Sequence, residues 1–394
     1  MQLKLNDSVK YIIEKLESAG QRADIVGGCV RDFLLGKPPH DFDITTSATP
    51  DEMREIFRDE HTLEVGLKHG TLTVILGAEP YEITTYRTEG DYTDHRHPST
   101  VSFSRTLTDD LSRRDFTVNA ICYSERHGFT DPFSGVADIE ARVIRAVGEP
   151  ACRFEEDALR ILRALRFSST LGFVIEEGTA RAIREKAHLL EYISAERILT
   201  EYKKLMEGSQ AYEVISEYPD IIAWVLSIPS AIRLLPRDRF ASLPPNLRTL
   251  SLFALSADSP VEAFSHAADR LRLDNAARHE GEKILSSLDL PLSDEVDIKL
   301  AFMKIGAPYT LSLIKLLFAM GRAPQQCLAT AERILASGAA YRISDLAIKG
   351  EDLTSLGIKG PEVGKTLTAA IIAVIRGECE NTRDSIFRYL NLHA

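Results

Sequence analysis

The chain has 394 residues, of which 44% are hydrophobic and 27% charged, and its formal net charge is -11. That length allows two or three domains with substantial cores, and no bilayer-length apolar run or leader-like N-terminus raises the expectation of a membrane span or a secretory signal. Five scattered cysteines (Cys29, Cys122, Cys152, Cys327, Cys379) form no CxxC pair, which argues against a disulfide framework or a zinc site and for a cytoplasmic protein.

Helical periodicity covers residues 9–19, and Asp24-Ile25-Val26 reads as a short strand. Gly27-Gly28 follows, then a helix over 29–35 with Gly36 as its C-terminal cap. Residues 41–46 alternate polar and apolar as a half-buried strand does. Thr49-Pro50-Asp51-Glu52 is a helix start, with an N-cap, a proline at the first position and an acid completing a capping box. Further strands are expected at 71–76, 82–86 and 101–103, which makes the first third an α/β domain with a mixed sheet. From about Glu155 strand signals fade and helical periodicity runs to the end, punctuated by Pro219, Pro229, Pro244, Pro291 and Pro308.

Residues two apart on a strand share a face, so Asp41 and Asp43 are expected to project together. Two adjacent carboxylates repel each other unless a cation lies between them. Hard oxygen ligands suit Mg²⁺, typically held by one or two carboxylates plus substrate phosphates. A DxD alone is a common chance match, and the preceding segment gives this one its weight. Gly27-Gly28, between a strand and a helix, presents backbone N–H groups to a phosphate, and Arg31 on the first helical turn adds a charge-assisted contact. The alternative is a plain tight turn with a surface arginine. Glu82 is the candidate third carboxylate of a two-metal site; the alternative is an exposed strand acid. Together these pieces favour phosphoryl or nucleotidyl transfer.

The run from Ile25 to Met53, IVGGCVRDFLLGKPPHDFDITTSATPDEM, resembles the first motif of class II tRNA nucleotidyltransferases, the CCA-adding enzymes. These share a polymerase-beta-like fold with bacterial poly(A) polymerases. Leu111-Ser112-Arg113-Arg114-Asp115-Phe116-Thr117-Val118-Asn119-Ala120 is similar to the second motif and Asp131-Pro132-Phe133-Ser134-Gly135 to the third. Glu156-Asp157-Ala158-Leu159-Arg160 resembles the fourth and Ser194-Ala195-Glu196-Arg197-Ile198 the fifth. The resemblance implies an α/β head (mixed sheet with flanking helices) followed by an all-α neck, body and tail. The expected bounds are 1–145 for the catalytic head, 146–210 for the nucleotide-recognition neck and 211–394 for the helical body and tail. It also implies roles: Asp41 and Asp43 hold catalytic Mg²⁺, while Gly27, Gly28 and Arg31 contact the triphosphate. Arg114 and Asp115 handle phosphates and ribose, Asp157 and Arg160 read the base, and Arg163 and Arg166 add nucleotide contacts. The implied partners are CTP, ATP and the tRNA 3′ end, with no membrane and no protein partner. The negative net charge does not oppose this, because phosphate binding depends on where basic residues cluster.

Elementary hydrogen bonding supports base reading. Three apart on a helix, Asp157 and Arg160 are expected to be surface neighbours. A carboxylate accepts and a guanidinium donates. Cytosine and adenine each offer an amino donor beside a ring-nitrogen acceptor, whereas uracil and guanine offer the reverse. The alternative for the pair is a surface salt bridge. Repeated steps of three drift around a helix, so Arg166 is expected about half a turn away from Asp157, and both Arg163 and Arg166 have packing or RNA-backbone contact as alternatives. The polar segment 87–98 reads as a mobile loop, similar to the one that complete CCA-adding enzymes have and CC-adding ones lack. Gly357 to Lys365, flanked by Lys349 and Lys359, resembles the family's tail and reads as an RNA-phosphate grip, or as ordinary helix capping. The competing functions are a poly(A) polymerase, a partial CC- or A-adding enzyme, and an inactive RNA-binding protein.

Overall fold

The computed structural model describes residues 3–39, 41–90, 100–229 and 231–392, and its contacts divide the chain into two compact units, Met1–Val214 and Ile215–Ala394. The first unit opens with α1 (Asp7–Ser18), whose N-cap Asn6 accepts from the Val9 N–H at 2.8 Å. Its buried Val9, Ile12, Ile13 and Leu16 follow helical spacing, and the helix packs on β1 (Ala23–Val26) and α3 (Pro50–Ile56). The predicted capping box is complete: Thr49 accepts from the Glu52 N–H while the Glu52 carboxylate accepts from the Thr49 N–H at 2.7 Å.

Between these elements lie α2 (Gly28–Leu34) and β2 (Asp43–Thr46). Gly36 takes φ +72 and donates to Phe33, as expected of a helix-ending glycine. The strand expected from residue 41 begins only at Asp43, because Asp41 sits in the left-handed region at φ 51. Aspartate is among the few side chains that tolerate that conformation. After α3 come β3 (His61–Leu63), β4 (Thr71–Leu76), β5 (Glu79–Thr85), β6 (Arg87–Glu89), β7 (Val101–Phe103), α4 (Leu107–Ser112), β8 (Cys122–Ser124) and β9 (Gly128–Thr130). Seven strands form one sheet in the order β3-β4-β5-β2-β1-β8-β9, while β6 and β7 pair as a separate antiparallel ribbon. The sheet is mixed: β2 runs parallel to β5 with Ile44 against Ile83, and antiparallel to β1 with Asp43 against Val26. Asp24, fully buried in the interior strand β1, is satisfied by Arg22 at 2.8 Å and by the Tyr86 hydroxyl at 3.1 Å.

The unit continues through α5 (Gly135–Ala141), β10 (Val143–Ile144), α6 (Pro150–Glu156), α7 (Leu159–Leu171), β11 (Val174–Ile175), α8 (Glu177–Lys186) and α9 (Ala195–Glu207). The strand β11, paired in parallel with β10, interrupts the stretch after about Glu155 that reads in sequence as helical. The faces of α7 and α9 bury Ile161, Leu162 and Leu165 with Ile198, Tyr202 and Leu205. Gly208 lets them approach, since a Cβ there would lie 2.1 Å from Ser169 Oγ. Apart from a short 3-10 turn at Ile343–Asp345, the regular elements of the second unit are α-helical, and prolines open several helices, including Pro219–Leu226, Pro245–Ser256 and Pro361–Arg376. Its tail core gathers Ile348, Leu353, Ala370, Ile371 and Ile386.

Candidate active site

The end of β1 delivers Gly27 to the spot where β2 begins. Gly27 holds φ 84, and a Cβ built on it would stand 3.2 Å from Arg114 Nη1 and 3.9 Å from Asp43 Oδ2. Only glycine takes this turn without strain and leaves backbone open between a guanidinium and a carboxylate. Gly28 starts α2, with its Cβ position 3.6 Å from Arg31 Nη2. One step ahead of the Ile44–Ile83 register, Asp43 and Glu82 stand on adjacent parallel strands.

Asp41 and Asp43 do not share a strand face as expected, since Asp41 lies in the preceding left-handed turn. They remain electrostatic neighbours. Surrounding protein pushes the Asp43 carboxyl above its usual range, Arg114 pulls it back, and Glu82 and Asp41 push it up again. Such crowding of carboxylates is relieved by a cation. Among the described residues, no three His, Cys, Asp or Glu side chains form a group able to hold a metal. The crowded carboxylates of Asp41 and Asp43 are hard oxygen donors of the kind that a cation shared with a phosphate substrate requires. Glu82 adds charge beside Asp43 without completing a three-ligand cluster.

Arg31 is no surface arginine: it is 8% exposed. Its Nη1 donates to Asn119 Oδ1 at 2.7 Å and its Nε to Asp32 Oδ1 at 2.9 Å. Asn119 Nδ2 donates to Asp115 Oδ1 at 3.0 Å, and Arg163 Nε donates to Asp115 Oδ2 at 2.8 Å. Burial would push the Asp115 carboxyl up, yet Arg163, Asn119 and Arg160 hold it down at about 2. Arg114 lies 3.6 Å from the buried Asp110, and its buried Nε has no hydrogen-bond partner among the described residues. Arg163 and Arg166 both turn to α9. Arg163 Nη1 is 3.8 Å and Arg166 Nε 2.6 Å from Glu201, the latter an ion pair not aligned as a hydrogen bond. The Phe167 ring lies among the guanidiniums of Arg31, Arg163 and Arg166, at 5.2, 5.4 and 3.6 Å.

Asp157 and Arg160 are not one helix's neighbours. The chain breaks at Asp157, which ends α6 with extended φ -138 and ψ 101, before α7 begins at Leu159. Asp157 Oδ1 accepts from the Leu159 N–H at 3.1 Å, and that local bond favours the break. Its Oδ2 accepts from Arg197 Nη2 at 2.8 Å, while Arg160 pairs with Glu156 at 2.6 Å and donates to the Arg153 and Arg113 carbonyls at 3.1 and 2.9 Å. No salt bridge joins the two.

The third motif is architectural: Asp131 caps α5 by accepting from the Gly135 and Val136 N–H groups at 2.7 and 2.8 Å. Of the expected loop 87–98, the flanks form the β6–β7 ribbon, and residues 91–99 lie outside the described residues, as does His40. In the tail, Lys349, Lys359 and Lys365 are exposed, and Gly357 and Gly360 take φ 88 and 60. Sequence reasoning assigned no role to Asn119, Phe167, Arg197 or Glu201. Asn119 and Arg197 fall within the runs similar to the second and fifth motifs, and Arg197 and Glu201 are four apart on an amphipathic helix, but nothing local marks Phe167.

The described part of the chain has no helix long and apolar enough to cross a membrane. Residues 23–145 match the family model of the poly A polymerase head domain, and residues 172–217 match that of the probable RNA and SrmB-binding site of polymerase A. The chain is 38% identical to the CCA-adding enzyme of Lactobacillus delbrueckii subsp. bulgaricus over 389 residues, covering 96% of each. It is also 38% identical to that of Geobacillus kaustophilus, covering 96% of this chain and 95% of the other. Among solved structures it resembles the Bacillus stearothermophilus CCA-adding enzyme in complex with CTP, at 34% identity, TM-score 0.77 and 98% coverage of both chains.

Proposed function

Because this chain belongs to the class II CCA-adding enzymes of the poly(A) polymerase superfamily, we propose that Asp41 and Asp43 are its catalytic centre and that Asp157 and Arg160 make its base choice. The protein is a tRNA nucleotidyltransferase that builds CCA on the tRNA 3′ end from CTP and ATP without a nucleic-acid template. The observation carrying the residue assignment is the meeting of Asp43, Gly27 and Arg114 at the mouth of β1, continued by the bonded chain Arg31–Asn119–Asp115–Arg163.

Arg114, whose buried Nε has no hydrogen-bond partner among the described residues, and the Gly27 backbone receive the triphosphate of the incoming nucleotide. Asp115 locks Asn119 and Arg163 in place, and Asn119 in turn steadies Arg31. The tRNA 3′-hydroxyl attacks the α-phosphate in line, and pyrophosphate leaves. These enzymes use a divalent metal; Asp41 and Asp43 would hold it, as Mg²⁺, with Glu82 alongside. Held by these carboxylates, such a cation would supply acidification of the attacking hydroxyl and charge neutralisation at the departing pyrophosphate. Asp157 uses one acceptor site on each oxygen, leaving capacity for an exocyclic amino group. Arg160 engages three of its five donors among the described residues, leaving two for a ring nitrogen. Uracil and guanine would leave these groups facing like partners, a mismatch worth up to ~10⁴ in discrimination.

The head is taken as 1–145, the neck as 146–210, and the body and tail as 211–394, the last holding tRNA by shape and backbone. Five free thiols support a cytoplasmic location. The test is extension of tRNA ending at the discriminator base or at CC, with CTP, ATP and Mg²⁺. Addition of C, C and A followed by arrest is expected, and Asp43→Asn should slow it by on the order of 10³-fold. Long A tails without C would overturn the reading.

A further inference from the structure

A carboxylate outside the residues assigned so far stands beside Arg114. Asp110, on α4, is 0% exposed. Its Oδ1 accepts from Arg113 Nε at 3.0 Å and from Arg113 Nη2 at 2.6 Å. Its Oδ2 accepts from the Thr45 hydroxyl at 3.1 Å and lies 3.6 Å from Arg114 Nη2, an ion pair too long for a hydrogen bond. Thr45 is two residues beyond Asp43 on β2, so the two project from the same face of that strand. Asp110 is thereby tied to the strand that carries Asp43.

Arg114 therefore stands between two carboxylates. Its Nη2 faces Asp110, while its Nη1 and Asp43 Oδ2 both border the Cβ position of Gly27, at 3.2 and 3.9 Å. Among the described residues no ion pair joins Arg114 to Asp43. Burial raises the Asp43 carboxyl, and Arg114 is the positive charge that opposes the rise. A long cationic side chain so placed has two ways to satisfy its charge, and closing on Asp43 would engage the oxygens that a metal needs. We infer that Asp110 is a positioning residue that keeps Arg114 from closing on Asp43, and so keeps that carboxylate available to the divalent cation. This rests on the reading of Asp43 as a metal ligand. Burial strengthens the hold of Asp110, because charges away from water are weakly screened. The hold is still a loose one. Oδ1 is engaged by Arg113 and Oδ2 by Thr45, so Arg114 is kept at ion-pair distance and can turn to a triphosphate. Without the charge of Asp110 the balance shifts, and Arg114 pairs with Asp43 and competes with the cation for it.

The experiment measures Mn²⁺ binding to the full chain by water-proton relaxation, without nucleotide and again with CTP but no tRNA. It compares Asp110→Asn, Arg114→Met and the double variant, with thermal melting of each. Asp110→Asn is expected to weaken Mn²⁺ binding by about fivefold or more, the scale of one ion pair. The Mg²⁺ dependence of CTP incorporation should move to higher concentration by a like factor. In the Arg114→Met background the same substitution is expected to change Mn²⁺ binding by less than about twofold, because the competitor is gone. An equal loss in both backgrounds means that Asp110 acts by its own charge or through the fold, and the proposal falls. It falls equally if neither background shows a loss. Asp110→Asn combined with Arg113→Gln removes the buried pair as a neutral unit and carries the same prediction, so it decides the matter if Asp110→Asn does not fold. Asp43→Asn separates the two layers. If it leaves Mn²⁺ binding intact, the reading of Asp43 itself fails. If it abolishes binding while no Arg114-dependent loss is seen, only the Asp110 proposal fails.

Discussion

At Asp115 burial and charge act in opposite directions, and charge wins. The carboxyl is 8% exposed and titrates at about 2, below the usual 3.8. A folded-state value below the unfolded one means that the ionised group stabilises the fold above about pH 4. That contribution, about 2 kcal/mol, drains away as pH falls from 4 towards 2. Acid unfolding of Asp115→Asn should therefore show a shallower loss of stability across that window, at the cost of lower stability at pH 7. A parallel pH dependence for both proteins would count against the assignment. The same residue marks how far sequence reading reaches at this scale. Asp115, Arg114, Asp157, Arg160 and Arg163 stand out by chemical type and motif, but which side chain meets which does not. Arg163 meets Asp115 across 48 positions and Arg197 meets Asp157 across 40, separations at which a one-dimensional pattern carries no geometric information.

Secondary-structure elements were legible where their signals are local. The Thr49–Glu52 box spans four residues and forms as expected, while the start of β2 and the helix through Asp157 were misjudged. In both cases one aspartate adopts a backbone conformation that periodicity cannot report: left-handed at Asp41, extended at Asp157. The β10–β11 pairing is likewise a tertiary contact between two-residue strands too short to show alternation. Element termini also separate stability from activity. Thr49→Ala removes a cap far from the chemistry, so melting should drop by an amount matching about 1 kcal/mol, with kcat and KM unaltered. Gly27→Ala forces a side chain into φ 84 at 3.2 Å from Arg114, a strain of about 1–3 kcal/mol. Here KM for CTP and ATP should rise together with the loss of stability. Normal nucleotide binding by Gly27→Ala would remove the turn from the triphosphate site.

For the whole molecule, the net charge of -11 is a poor guide to the site, where Arg31, Arg114, Arg160, Arg163, Arg166 and Arg197 gather within one of two units. Summed charge averages over surfaces that a substrate never meets. The division into a mixed α/β part and a helical remainder was readable because periodicity changes from about two to 3.6 residues along the chain. Strand order was not, since it depends on which strands close long loops. That order has a consequence for how the enzyme becomes active after synthesis. Asp43 and Glu82 are aligned only by the parallel β2–β5 pair, whose Thr45–Thr84 contact spans 39 positions. Helices close over a few residues, whereas this pair must wait for α3, β3 and β4 to fold between its strands. On dilution from denaturant, the helical signal should return first and nucleotide incorporation later, with a slower rate constant. Recovery of both in a single phase would show that the catalytic carboxylates are in register as soon as the helices form. A chain caught in that interval would be largely helical and yet incorporate no nucleotide.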